Sequence, residues 1–274
     1  DGTTVLGADD LAGVTAIYEA VRHLIETKTP HRPIEILISV GEELYCKGAN
    51  AFDYSQVQAK EAYVLDLSGA IGAAAYAAPT LVSFAAKIQG KAAHAGFHPE
   101  DGINSIQAAA HAIAQLPQGH VDESTTANIG KIGGGSGTNI VSESCVIEGE
   151  IRSLNHETAM ELLETYHRTF QQEAEKIGAK LVWEEKLNIH AYETPLTSDA
   201  ARHYESAVAE EGLTAAFEKT FGGSDNNVFA QHGIEGLVIA TSMNQVHSCA
   251  EYTKIPEIAQ VARIVANLAA PQEA

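Results

Sequence analysis

A chain of 274 residues holds one large or two medium domains, and a hydrophobic fraction of 45% supports a buried core. A net charge of −19, from 36 acidic and 17 basic side chains, argues against nucleic acid and against anionic membrane surfaces as partners. Cys46, Cys145 and Cys249 form no CxxC pair and fit a reducing cytoplasm better than a disulfide framework, and no apolar run reaches the roughly 18 residues of a membrane span.

In chain order, residues 3–6 predict a short strand that ends in Gly7-Ala8-Asp9-Asp10. Val14, Ile17, Val21, Leu24 and Ile25 keep helical spacing and predict a helix over 11–27, closed by Thr29-Pro30. The continuous apolar run from Ile34 to Val40 predicts a strand buried on both faces, as in a parallel sheet, with Glu42 and Glu43 at its end. A short helix from Gly48 and a buried strand over 62–67, closing on Asp66-Leu-Ser-Gly69, follow. This alternation implies right-handed crossovers and an open, mostly parallel α/β sheet with helices on both faces. Ligands of such sheets gather beyond the carboxyl ends of the strands, where Asp9, Glu42, Glu43 and Asp66 all fall.

The pattern changes at Ala78-Pro79. A strand over 81–89 leads to an alanine-rich helix over 103–116, with Asp101 or Asn104 near its start. Strands over 125–132 and 145–154 are joined by the glycine-rich loop 133–137. A long amphipathic helix over 156–177, ended by Gly178, precedes a strand over 180–186. The order β-α-β-β-α-β is ferredoxin-like, an α+β domain inserted into the first one. Beyond residue 191 the alternation resumes, with a helix over 199–211, the turn Gly222-Gly-Ser-Asp225 entering a short helix around 227–231, a strand over 237–240 and a closing helix over 255–268. The expected division is 1–78 for the first part of the main domain, 79–189 for the insert and 190–274 for the second part. The opening Asp1-Gly2-Thr3-Thr4 has neither an initiator Met nor a lead-in element, so upstream residues are expected to have been lost.

Two adjacent carboxylates raise each other's pKa unless a cation or a shared proton relieves them. With Asp9-Asp10, Asp66 and His247 also near the ends of apolar segments, hard oxygen donors and one imidazole suit a bound metal ion and a metal-dependent hydrolase. Taken singly, Asp9 reads equally well as a helix N-cap, Asp66 as a turn residue and His247 as an ordinary loop histidine. Their joint occurrence in this order is what carries the metal reading.

Gly7-Ala-Asp-Asp-Leu-Ala-Gly13, Gly41-Glu-Glu43, Asp66, Gly222-Gly-Ser-Asp225 and His247-Ser248-x-x-Glu251 together resemble the M20 metallopeptidase family, in its peptidase T-like branch. The segment from Gly90 to Asn104, with His94, Gly96 and Pro99, is similar to the lid, or dimerisation, domain of that family. The resemblance implies that Asp9 bridges two zinc ions, that Glu43 binds one and Asp66 the other, and that His247 completes the site. It implies Glu42 as general base and a cis peptide after the bridging aspartate, at Asp9–Asp10. In the lid it implies His94 as oxyanion partner, acting across a dimer, Asn139 and Arg152 as the grip on a substrate carboxylate, and Gly223 as a backbone contact from the main domain. A surface ion pair is the competing reading of Arg152, and Cys46, beside the glutamates, reads as an inert small apolar residue rather than a metal ligand.

The chain departs from the family's pattern at one important point. The family supplies a further zinc ligand from a His-x-Asp motif upstream of the bridging Asp, whereas no histidine precedes Asp9 and no His-x-Asp motif is expected elsewhere in the chain. Leu11 stands where a Lys is frequent, and Tyr45-Cys46 replaces small residues. The expectation is therefore a stretch of a larger enzyme, with two zinc ions per subunit in the intact parent and one or none here. It would be a cytoplasmic zinc aminopeptidase of short peptides, homodimeric through its lid. The alternatives are an M20 carboxypeptidase or N-acyl-amino-acid amidohydrolase, and an inactive piece that serves as a dimerisation module.

Overall fold

The computed structural model describes residues 2–271. In chain order the elements are α1 (Ala8–Thr27), α2 (Lys47–Ala51), β1 (Glu61–Ser68), β2 (Ala73–Ala78), β3 (Thr80–Gln89), α3 (Ser105–Gln115), β4 (Gly119–His120), β5 (Thr125–Gly134), β6 (Ser144–Ser153), α4 (His156–Lys176) and β7 (Lys180–Ile189). They continue as β8 (Tyr192–Glu193), α5 (Asp199–Ala209), β9 (Ala216–Lys219), α6 (Asp225–Gln231), β10 (Glu235–Met243) and α7 (Ile255–Leu268). The chain divides into two compact units: the first runs up to Ala78 and resumes at Tyr192, and the second is Pro79–Ala191.

Unit 1 is built on a mixed sheet of order β1-β10-β2-β8, with β9 also paired to β2. It is mostly parallel by paired residues: β1–β10 and β2–β9 run parallel over six and four register pairs, and β10–β2 and β2–β8 antiparallel over two each. Strand β10 is buried along its length after Glu235. Leu237 and Ile239 join the core of α1, α5 and α7 side chains, while Val238 and Ala240, alternating to the other side, are covered as well. Helix α1 presents Ala12, Ala16, Ala20 and Leu24, four residues apart, as a narrow buried stripe, and ends where Lys28 turns left-handed at φ 54°.

Two strands expected from the sequence do not form. Residues 3–6 and 34–40 make no ladder, and Val5, Leu6, Ile36, Ile38 and Val40 are half or more exposed, from 50% for Ile36 to 75% for Val40. A strand exists only through a neighbour that accepts its N–H groups. Among the described residues no strand pairs with either segment, and β1 is an edge. Residues 32–39 instead border a cavity of about 850 Å³ with apolar lining from α1 (Val14, Ile17, Val21) and β1 (Ala62, Val64). The segment is tethered at both ends: Arg32 donates to the Leu268 carbonyl and to Glu61, and Gly48 N–H donates to the Val40 carbonyl at 2.8 Å.

Unit 2 is an antiparallel sheet of order β4-β5-β6-β3-β7 with α3 and α4 packed on it, the ferredoxin-like arrangement. Asn104 caps α3 by accepting from Ile106 and Gln107 N–H, and Asn155 caps α4 by accepting from Thr158 N–H. Ala159, Leu163, Tyr166, Phe170 and Ala174 keep a 3–4 residue spacing down α4 and are fully enclosed. Phe84 on β3 meets Tyr166 edge-on at 5.3 Å and stacks on Trp183 of β7 at 5.1 Å.

Candidate metal centre

Three side chains from three separate segments of unit 1 meet. Asp9 lies in the turn that opens α1, Glu43 in the 3-10 turn Glu42–Leu44, and His247 in the loop after β10. His247 Nε2 is 3.0 Å from Asp9 Oδ2 and 2.8 Å from Glu43 Oε1. One donor atom from each of the three lies within 4.8 Å of the others. The Asp9–Asp10 peptide is cis. The loop carrying His247 is closed by reciprocal backbone bonds of 3.1 Å between Asn244 and Tyr252, and Gln245 and His247 take positive φ within it.

More carboxylates crowd the same region. Burial pushes Asp10 up to about 7, against the Gly13 N–H that it accepts and with help from the charges of Asp9 and Glu42. Burial also pushes Glu42 up to about 7, aided by Asp225 and Glu43. Asp66, within β1, rises to about 9 through burial and then the charges of Glu42, Asp10, Asp9 and Asp225. Asp225 is itself buried; Ser39 Oγ donates to its Oδ2 while its Oδ1 has no partner. Carboxylates gathered so closely are relieved either by protons or by a cation. Burial, then the charges of Glu42 and Asp225, drive the Cys46 thiol far above its ordinary value, which keeps it protonated.

Two carboxylate oxygens and an imidazole nitrogen form the kind of donor set zinc takes in sites that leave a position for water. Among the described residues, Asp9, Glu43 and His247 are the group that converges in this way. Asp66 feels the charges of this region and stands outside the converging trio. Gly223 is half-buried in the turn just before α6, where Ser224 Oγ accepts from Asn226 N–H and Ser224 N–H donates to Asn227 Oδ1.

The remaining expected site residues lie in unit 2. His94 and Asn139 are neighbours: His94 bridges Ile140, and Ala95 N–H donates to the Asn139 carbonyl at 3.0 Å. The N–H groups of Gly96 and Phe97 donate to His94 Nδ1 at 3.1 and 3.3 Å, so the exposed ring keeps its proton on Nε2 and can offer it as a donor. Arg152 sits near the opposite end of β6, paired in register with Leu81 and Thr126, and donates to Glu150 at 2.8 Å. Eight steps of extended strand, at roughly 3.3 Å each, separate it from Ser144, the strand's other end.

Asp225 and Glu251 belong to this region too, and the sequence reading gave them no role; Asp10 it offered only as an oxygen donor beside Asp9. Glu251 accepts from Gly7 N–H at 2.7 Å and from Asp9 N–H at 2.9 Å. A His-x-Asp triplet does occur, contrary to expectation, as His120-Val121-Asp122. It lies in unit 2, where His120 ends β4 and Asp122 accepts from Ser124 N–H and Oγ.

Residues 76–178 match the peptidase dimerisation domain of M20 enzymes. The chain is 38% identical over 265 residues to the uncharacterized protein YqjE of Bacillus subtilis, covering 97% of this chain and 71% of that protein. Peptidase T of Fusobacterium nucleatum is 36% identical over 126 residues, 46% of this chain and 30% of that protein. Among solved structures, aminopeptidase PepT of Bacillus cereus superposes with a TM-score of 0.94 at 38% identity, covering 98% of this chain and 72% of PepT. A tripeptidase of Staphylococcus aureus gives 0.95 at 33% identity, with coverage of 98% and 72%. The YXEP protein of Bacillus subtilis, a dinuclear metal-binding peptidase of the M20 family, shares the fold at 18% identity and a TM-score of 0.73. No helix among the described residues is long and apolar enough to cross a membrane.

Proposed function

The chain belongs to the M20 family, with a peptidase T-like fold, and on that footing we propose that it hydrolyses peptide bonds of short peptides in a zinc-dependent reaction, as an aminopeptidase of the tripeptidase kind. The observation that carries this reading is the meeting of Asp9, Glu43 and His247, drawn from three distant segments, within 4.8 Å of one another. Asp9, Glu43 and His247 would hold one ion. Asp9 and Asp66 would serve a second in the dinuclear arrangement for which YXEP is named. Bound there, zinc supplies an acidified water and a positive charge against the scissile carbonyl.

The protein's own groups do the rest. Glu42 adjoins the ligand Glu43 but stands outside the converging trio, so it is free to take a proton and return it to the leaving amine. Without a cation its carboxyl is pushed up to about 7 by burial and by Asp225 and Glu43, and a cation bound beside it would lower it. His94, with Nδ1 occupied, offers Nε2–H to a developing oxyanion. Asn139 lies in the loop before β6 and Arg152 near the far end of that strand. A homodimer through unit 2, which the dimerisation-domain match supports, would let different copies supply them. Gly223 contributes a backbone contact at the entry to α6, and unpaired cysteines are consistent with a cytoplasmic setting.

Calorimetric titration of the 274-residue chain with zinc tests the reading. One or more ions per chain, lost in His247→Ala, is expected; a stoichiometry of zero refutes the site and favours a non-catalytic dimerisation module. Assay of tripeptides against N-acyl amino acids then separates the aminopeptidase from an amidohydrolase. Glu42→Ala should abolish turnover while metal content survives, and a variant that lost its metal instead would reassign Glu42 as a ligand.

A further inference from the structure

We propose that Glu251 is a positioning residue for the metal centre, whose carboxylate clamps the Asp9 turn to the loop that presents His247. This deepens the zinc-site reading and rests on it. Glu251 is 8% exposed, a buried carboxylate whose two oxygens each accept a backbone N–H. Its Oε2 accepts from Gly7 N–H at 2.7 Å and its Oε1 from Asp9 N–H at 2.9 Å, across 244 and 242 residues of sequence. Both oxygens are thus committed, one on each side of Ala8, and the second bond grips the backbone of the residue whose side chain meets His247.

The other end of the clamp is equally fixed. Glu251 stands four residues after His247 in the loop that Asn244 and Tyr252 close, and its own N–H donates to the Ser248 carbonyl at 3.1 Å. One side chain therefore joins two of the three segments that carry Asp9, Glu43 and His247. A plain helix cap would do less. Asp9 and Asp10 are non-helical in φ and ψ, and Gly7 offers no side-chain cap, so the two bonds fix a turn rather than the first turn of a regular helix. Outer groups that orient metal ligands typically matter by 10–100-fold in affinity.

The geometry specifies the variants. Glu251→Gln keeps the length but replaces one acceptor with an NH2 that faces a backbone N–H. Glu251→Asp keeps both acceptors but withdraws them by one methylene. Zinc affinity by calorimetry should fall about tenfold or more in Glu251→Gln and by less in Glu251→Asp. Hydrogen exchange in the metal-free chain should quicken at Gly7 and Asp9 while β10 stays protected. Wild-type affinity in a folded Glu251→Gln, or unaltered exchange at Gly7 and Asp9, overturns the clamp and leaves the zinc site standing. If Glu251→Gln does not fold, Glu251→Asp decides: weaker zinc binding supports the clamp, and wild-type binding overturns it. No zinc binding by the wild-type chain sinks the metal reading and the clamp with it.

Discussion

Replacing Glu61 by Gln tests how the segment leading to the glutamate pair is anchored. The Arg32 guanidinium forks onto Glu61 at 3.1 and 3.3 Å, His203 Nδ1 lies 2.7 Å from Oε2, and the Tyr63 hydroxyl donates to Oε2 at 3.0 Å. Arg32 also donates to the Leu268 carbonyl, so one carboxylate helps tie the chain after α1, the start of β1, α5 and the end of α7 together. Side-chain exposures of 27% for Arg32, 20% for Glu61 and 15% for His203 put the cluster between a surface pair, worth at most about 1 kcal/mol, and a buried one, whose breaking costs roughly 3–5 kcal/mol. An intermediate loss of about 2 kcal/mol follows, which lowers a urea midpoint by roughly 1 M for an m-value of about 2 kcal/mol/M. Burial pushes the Glu61 carboxyl up, but the bonds from His203 and Arg32 outweigh it and leave it below its ordinary 4.5. A depressed carboxylate contributes stability that is present above 4.5 and lost as pH falls through the lower, folded-state value. Wild type and Glu61→Gln should therefore differ by about 2 kcal/mol at pH 7 in urea unfolding followed by circular dichroism, and converge as the pH falls below 4.5 and through the lower, folded-state value. Equal stability at pH 7, or a gap that ignores pH, would refute the reasoning.

Gly13→Ala should destabilise unit 1 by about 1–3 kcal/mol, because a Cβ there would lie 2.7 Å from the Leu65 carbonyl and against the Asp10 carboxylate; an unchanged unfolding midpoint would show that α1 can move away from β1. Phe170→Ala should cost unit 2 about 3–5 kcal/mol. The single tryptophan, Trp183, lies in the same cluster at 6.2 Å, so its fluorescence reports this loss directly, and a midpoint shift equivalent to less than about 1 kcal/mol would mean that the core refills the cavity. Light scattering should give twice the chain mass at micromolar concentration, and a monomer there would count against dimerisation through unit 2.

Helices α1, α4 and α7 were legible because their apolar spacing and their ends agree. Asn155 before α4 and Gly178 after it stand where a side-chain acceptor and a positive φ are needed. The Ile34–Val40 run misled for a physical reason. Apolarity records that a segment was selected to be covered, and a ladder also needs a partner strand that the described residues do not provide. Strand β2 was missed for the converse reason, since Ala73-Ala-Ala-Tyr-Ala-Ala78 has neither β-branched residues nor alternation, and its pairing to β10, β8 and β9 defines it.

The site divides along the same line. Glu42-Glu43 could be noticed because adjacency is a property of sequence, and a doubled charge beside an apolar run calls for an explanation. Glu251 could be seen in the motif His247-Ser-x-x-Glu251, yet its partners are backbone N–H groups more than 240 residues away, and a backbone amide leaves no trace in residue identity. Asp225 fell between the two. Its place at the first turn of α6 gives it a sufficient local reason to be acidic, which hides the fact that its carboxylate also bears on Glu42 and Asp66. Side chains with a complete local explanation are therefore the ones whose distant role a sequence conceals. The clearest such residue here is Gly13: it reads as one more small residue on α1, and only the approach of the Leu65 carbonyl shows why no Cβ fits.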